Sequence, residues 1–169
     1  MEIMKKLILL LFIILTSCVK EVDVFGTNYY VSTSGSNGNP GTYSQPWATW
    51  NYGFNHINAG DTLFIRGGTY MGTSAYANGT YNMVYVSGKN GSSSSKYNVF
   101  AYPVETPILD CSNFTGNGRR FGIDLESCSY WHIKGLTVCR LPAYNADLNM
   151  GFVNHGSHHL TFENCTAHH

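Results

Sequence analysis

The stretch Phe121–Cys139, FGIDLESCSYWHIKGLTVC, is answered 29 residues later by Met150–His168, MGFVNHGSHHLTFENCTAH. At that offset Phe121 meets Met150, Gly122 meets Gly151, Ile123 meets Phe152, Trp131 meets Leu160 and Ile133 meets Phe162. Leu125, opposite Asn154, is the apolar member without an apolar or small partner. Phe121, Ile123 and Leu125 alternate with Gly122, Asp124 and Glu126, the period of a half-buried strand. The inward set then skips two positions between Ile133 and Leu136, and skips them again between Phe162 and Cys165. A flat strand does not skip, but a corner between two sheets does. Gly135 and Asn164 occupy that corner, where left-handed backbone is expected.

The physical reading is a coil of backbone repeated along an axis. Strands of successive coils lie about 4.8 Å apart, and none can bury its apolar edge alone. A β-sandwich offers alternation but no reason for the repeated skip. The expected fold is therefore all-β, a parallel solenoid over residues 28–169. Earlier strands are expected at Tyr29–Thr33, in DTLFIRGGTY, in NMVYVSG, and as two short strands in KYNVFAYPVETPILDCS. Trp47, Trp50, Phe54 and Ile57 recur at intervals of three and four, which predicts a short helix over residues 46–57 with Gly60 as its stop.

Charge excludes some partners. Ten basic residues balance ten acidic ones and only 12% of residues are charged, so no basic footprint for nucleic acid exists. At the N-terminus, MEIMKKLILLLFIILTSC carries two lysines, an apolar run from Leu7 to Leu15, and then Thr16, Ser17 and Cys18. The run is too short to span a bilayer comfortably and reads as a signal peptide. Leu15-Thr16-Ser17-Cys18 resembles a bacterial lipobox, which implies residues 1–17 as signal peptide, lipidation of Cys18, and a tether over 18–27. Lys20-Glu21 after that cysteine favours the outer membrane or cell surface as the location. Cys111, Cys128, Cys139 and Cys165 remain, and four cysteines allow three complete pairings. Register makes Cys165 a small core residue.

Several stretches carry a family resemblance. NYYVSTSGSNGNPGTYSQPWATW followed by AGDTLFIRGGTY, together with KYNVFAYPVETPILD, YWHIKGLTV and HHLTFENCTAHH, resembles the N-terminal region of right-handed parallel β-helix proteins of the pectate-lyase-like superfamily. The resemblance implies that the short helix caps the first coil. It also implies a parent polysaccharide lyase that acts on an acidic, uronate-rich polymer with calcium, by β-elimination. In the resembling lyases the catalytic lysine and the calcium-holding aspartates follow the ENC strand. The chain is therefore expected to be an N-terminal piece, without catalytic, metal or cofactor residues of its own. Non-catalytic glycan binding and polysaccharide hydrolysis are the alternatives.

The chemistry-bearing residues fit that expectation. Four of seven histidines fall after Gly156, but His159 is expected to point outward and His168 and His169 to diverge, so no zinc centre follows. His132 and Lys134 share an outward face suited to touching a sugar polymer. Lys134 and Glu163 lie opposite one another as a cross-coil ion pair. Asp124 and Glu126 share a strand face, with Asp147 in a nearby loop, but their in-register neighbours Val153 and His155 add no carboxylate for calcium. Arg119-Arg120 is a surface pair that can meet an acidic sugar.

Overall fold

The computed structural model describes residues 26–72, 75–77, 80–114, 118–142 and 149–168. The signal segment, Cys18, most of the tether, Asp147 and His169 lie outside the described residues. The elements in chain order are β1 (Asn28–Val31), α1 (Trp50–His56), β2 (Thr62–Ile65), β3 (Gly68–Met71), β4 (Ala75–Ala77), β5 (Thr80–Ser87), β6 (Tyr97–Ala101) and β7 (Pro107–Asp110). There follow β8 (Arg119–Glu126), β9 (Ser129–Lys134), β10 (Thr137–Cys139), β11 (Asn149–His155), β12 (His158–Glu163) and β13 (Thr166–His168).

These strands form three sheets, ordered β1-β2-β6-β9-β12, β13-β10-β7-β3 and β11-β8-β5-β4. Each turn of the chain visits the three sheets in the same order, and every pairing between coils is parallel. This is a parallel β-helix. The offset of 29 residues is the register of its later coils, with Ile133 over Phe162, Phe121 over Met150 and Val138 over Ala167. It reaches back one strand further than the quoted repeat, because Ile108 pairs with Thr137. Earlier coils are longer: Gly68 opposes Pro107 and Asn82 opposes Phe121.

Stacked side chains fill the interior. One column runs Leu63, Val99, Ile133, Phe162, and another runs Tyr70, Leu109, Val138, Ala167. Tyr97 stacks on Trp131 at 4.5 Å, and Phe54 of α1 reaches the same indole at 5.9 Å. Burial weakens toward the last described coil, where Phe162 is 41% exposed. Cys111, Cys128, Cys139 and Cys165 are all free thiols, which resolves the pairings left open by the sequence. Cys165 packs against the core, as its register predicts.

The corners use left-handed backbone, and they recur. Ser127 and Gly156, Tyr130 and His159, and Gly135 and Asn164 are three pairs at the same offset, all with φ between 51° and 73°. A left-handed side-chain-bearing residue costs roughly 1–2 kcal/mol. Hydrogen bonds to the next coil offset that cost: Ser127 N–H donates to His155 C=O at 2.8 Å and Gly135 N–H to Glu163 C=O at 2.9 Å.

Three expectations need correction. The helix is shorter than 46–57. Trp47 is instead bridged to Val31, and the Asn37 side-chain oxygen accepts the Ala48 and Thr49 amides, so α1 starts after its N-cap Thr49. Gly53, which weakens the helix, is demanded by packing: a Cβ there would come within 2.7 Å of Leu63 and 2.9 Å of Val31. The paired glycines do end the strand in DTLFIRGGTY, as expected, but a second, unforeseen strand on a different sheet starts at Gly68, whose φ is 127°.

The third correction concerns β8, which is buried along both faces rather than half-buried. A Cβ on Gly122 would strike Val138 at 2.5 Å, so position 122 points inward beside Ile123. The strand bends there, and the regular pairing skips the Gly122 position on both sides. Phe121 stays buried, at 1% exposed, but outside the main core cluster, and its ring lies 5.5 Å from His155. Gly122→Ala is expected to cost about 1–3 kcal/mol, because the added methyl also meets the Gly151 carbonyl oxygen at 2.6 Å. Urea unfolding of the variant checks this.

Candidate functional site

The bend in β8 shapes a groove on the outer side of the β5-β8-β11 sheet. Its volume is about 210 Å³ and its walls are Thr80, Arg119, Asp124, Glu126 and His155. Three neighbouring strands supply these residues, so parallel register alone brings together groups from distant parts of the chain.

Asp124 lies at the base, only 2% exposed. Its carboxylate meets His155 Nδ1 at 2.9 Å, while the His155 side chain remains 47% exposed. Burial pushes the Asp124 carboxyl above its ordinary value, against the opposing pull of the bond to His155. When Asp124 is ionised, it accepts a hydrogen bond from His155 Nδ1. Glu126 accepts the hydroxyl of Tyr85, and that bond raises the tyrosine above its usual range.

The sequence placed Asp124 outward beside Glu126, and the structure brings both into one groove. It corrects the exposure, because an outward position on β8 is not a solvated one. His155 went unrecognised as a partner of Asp124. Register sets it opposite Glu126, and the contact to Asp124 runs diagonally, two residues along the neighbouring strand. The Arg119-Arg120 pair divides: Arg119 lines the groove, while Arg120 is buried and donates to the Pro142 carbonyl at 2.8 Å.

The groove residues do not suit calcium. They supply two carboxylates, one of which binds a histidine and is driven toward its neutral form by burial. A calcium site draws on several oxygen donors around one centre. Among the described residues, no cluster of three or more His, Cys, Asp or Glu is placed to hold a metal ion.

Outward residues of the β6-β9-β12 sheet form a second, shallower feature. Lys134 Nζ lies 2.6 Å from Glu163 Oε1, and His132 Nε2 lies 3.0 Å from Glu163 Oε2. Lys134 first, and His132 second, hold the Glu163 carboxyl below the usual carboxylate range. The groups are solvated, so the cross-coil pair foreseen in the sequence contributes little stability. His159, expected to point outward, stacks on Tyr130 at 4.4 Å, and its Nδ1 lies 2.6 Å from that of His158. Lys89 carried no signal in the sequence. Burial pushes its ammonium below the ordinary lysine value, and it donates to the Ile57 carbonyl at 2.7 Å, tying the end of α1 to the coil.

A parallel solenoid with a polar groove on one outer sheet defines the class: a right-handed parallel β-helix of pectate-lyase-like type. The chain belongs to the Pel9A-like right-handed beta helix family, whose model matches residues 29–169. It is 28% identical to the pectate lyase PEL9 of Emericella nidulans over 129 residues, covering 70% of this chain and 29% of that protein. It superposes on a solved rhamnogalacturonan lyase with a TM-score of 0.74 at 23% identity, covering 84% of this chain and 36% of that one. A solved pectate lyase, Pel9A, gives a TM-score of 0.57 at 21% identity, covering 89% of this chain and 34% of that one. The chain thus spans about a third of the length of these relatives.

The pH dependence of Asp124 has a definite sign. Its native carboxyl value is raised, so its contribution to stability is complete below the unfolded value of about 3.9 and is lost as pH rises through the native value. Asp124→Asn keeps an acceptor for His155 and removes that loss. The variant is expected to be more stable than the parent at pH 7, and to gain nothing at pH 3. Thermal melts across that range check it.

Proposed function

We propose that this chain supplies the N-terminal coils of a cell-envelope polysaccharide lyase that cleaves a uronate-rich polymer by β-elimination. The observation that carries the reading is the acid- and histidine-lined groove on a β-helix of the Pel9A-like family. In such chemistry a base takes the proton at C5 of a uronate, and the oxygen linked at C4 departs, leaving a double bond. The groove shows no lysine among its lining residues. The described residues of this chain therefore act in holding the polymer. Arg119 offers a cation to a uronate carboxylate, and Glu126 and Thr80 offer partners to hydroxyls.

The base and the calcium that stabilises charge on the carboxylate belong, in this proposal, to coils beyond those of this chain. The relatives' greater length supports that division. The proposal also takes Cys18 as the lipid anchor at the outer membrane or cell surface, on the strength of the lipobox-like LTSC and the apolar run before it.

One observation favours a second reading. Asp124, driven toward its neutral form, shares a groove with Glu126, and a pair of carboxyl groups can serve a hydrolase as acid and base.

The test uses the product of the complete gene on de-esterified homogalacturonan and on rhamnogalacturonan. Ultraviolet absorbance by an unsaturated uronate end, abolished by a calcium chelator and restored by calcium, is the expected result. Reducing ends without that absorbance support hydrolysis, and binding without new ends supports a glycan-binding role. Arg119→Ala is expected to raise KM about tenfold with kcat little changed, as for loss of one charge-assisted hydrogen bond.

A further inference from the structure

The first three strands of the β1-β2-β6-β9-β12 sheet carry an apolar patch on their outer side. Val31, Leu63, Ile65 and Val99 are buried in the core, and the residues that alternate with them, Tyr30, Phe64 and Phe100, lie in register across three coils. Ring centroids are 5.6 Å apart from Tyr30 to Phe64 and 6.4 Å from Phe64 to Phe100. Tyr43 and Tyr102 widen the patch, their rings 5.9 Å apart, and Tyr43 is 53% exposed.

Tyr102 also opens a turn, closed where the Glu105 N–H donates to the Tyr102 carbonyl at 3.0 Å. Pro103 suits the second position of such a turn. The third is Val104, fully exposed and in left-handed backbone with φ 60°. Glycine or asparagine is relaxed there, whereas a β-branched residue is strained. The strain holds an apolar side chain out in solvent, where it has no packing to gain. The charges nearby cancel: Arg66 grips Glu105, with Nε 3.0 Å from Oε2 and a terminal nitrogen 2.9 Å from Oε1. The patch therefore suits an apolar partner and offers no net charge to an ionic one.

We infer that this patch rests on the lipid bilayer that anchors the chain, an inference that depends on the lipidation of Cys18 proposed above. The tether sets the distance. Eight residue steps separate Cys18 from Gly26, just before β1, and a chain spans at most about 3.6 Å per residue, so Gly26 stays within roughly 30 Å of the anchored cysteine. Tyr30 follows four residues later, its ring 5.4 Å from that of Tyr43. So short a tether keeps the patch within reach of the membrane. Tyrosine suits the interface, with an apolar body for the acyl boundary and a hydroxyl for the headgroups. Val104 adds apolar area at the most exposed point. The groove lies on a different sheet, so this orientation leaves it open to polymer.

The test uses the full lipoprotein in phosphatidylcholine vesicles. An environment-sensitive fluorophore is placed on Ser44→Cys, beside Tyr43, or on Ser87→Cys of the groove sheet, both exposed positions, and the parent chain sets the background. The mass of the N-terminal peptide reports separately whether Cys18 carries lipid. The label at position 44 is expected to shift to the blue and to be quenched at least twofold by spin-labelled lipid, with or without anionic lipid, while the label at position 87 stays unquenched. Val104→Gly and Tyr43→Ser are expected to remove at least half of that quenching. Melting should be unchanged for Tyr43→Ser and equal or higher for Val104→Gly, because glycine relieves the turn. An unlipidated Cys18 removes the anchor, and the inference with it. With Cys18 lipidated, the inference alone is overturned if the two labels respond alike, if the variants quench as the parent does, or if quenching requires anionic lipid. It is likewise overturned if the label at position 44 responds instead to homogalacturonan or to chain concentration without vesicles.

Discussion

Backbone hydrogen bonding between coils in fixed parallel register is the constraint on which the rest of the molecule depends. It makes each inward position a column, so Leu63, Val99, Ile133 and Phe162 must share a shape that stacks. It also dictates where the chain turns. Tyr130, His159 and Asn164 accept left-handed backbone because a coil that failed to turn there would lose every pairing beyond. The small residues Gly122 and Gly151 follow from the same constraint, since the bend brings position 122 against Val138 and against the neighbouring backbone.

The groove inherits its chemistry from that register. A carboxylate on a flat, solvated sheet keeps an ordinary affinity for protons. Asp124 does not, because its strand bends and its neighbours close over it. Its histidine comes from the next coil, so the pair forms only when two coils are stacked. The apolar patch arises differently. There a left-handed turn after β6 holds Val104 out in solvent, beside rings that alternate with the core. One solenoid thus presents a charged surface on one sheet and an apolar one on another.

Much of the coil was legible in the sequence. Residues 121–139 and 150–168 contain the repeat at its true offset, and the skip between Ile133 and Leu136 marks a real corner at Gly135. Other features were hidden for physical reasons. The corner at Tyr130 carries a side chain that says nothing of left-handed backbone, and its partner is a histidine. The coils containing β3 and β5 escaped the repeat because longer connections obscure their offset from β7 and β8. Phe121 is buried as its alternation suggests, but it lies outside the main apolar cluster, a separation that the pattern does not reveal. His155 was read opposite Glu126, as register requires, but side chains also reach diagonally, and that reach creates the contact to Asp124. The exposure of Val104 leaves no trace in a sequence, because a β-branched residue signals a strand and not a left-handed turn.

The unequal length of the coils has a consequence for how such a protein diversifies. From Asn82 to its partner Phe121 the chain travels ten residues further than from Phe121 to Met150, yet the stacked strands keep their alignment. Extra residues must therefore leave the solenoid at its corners, as excursions that the interior never feels. Insertion and deletion at those sites can remodel the rim around a ligand from one descendant to the next while the scaffold stays untouched, so specificity is free to drift faster than architecture.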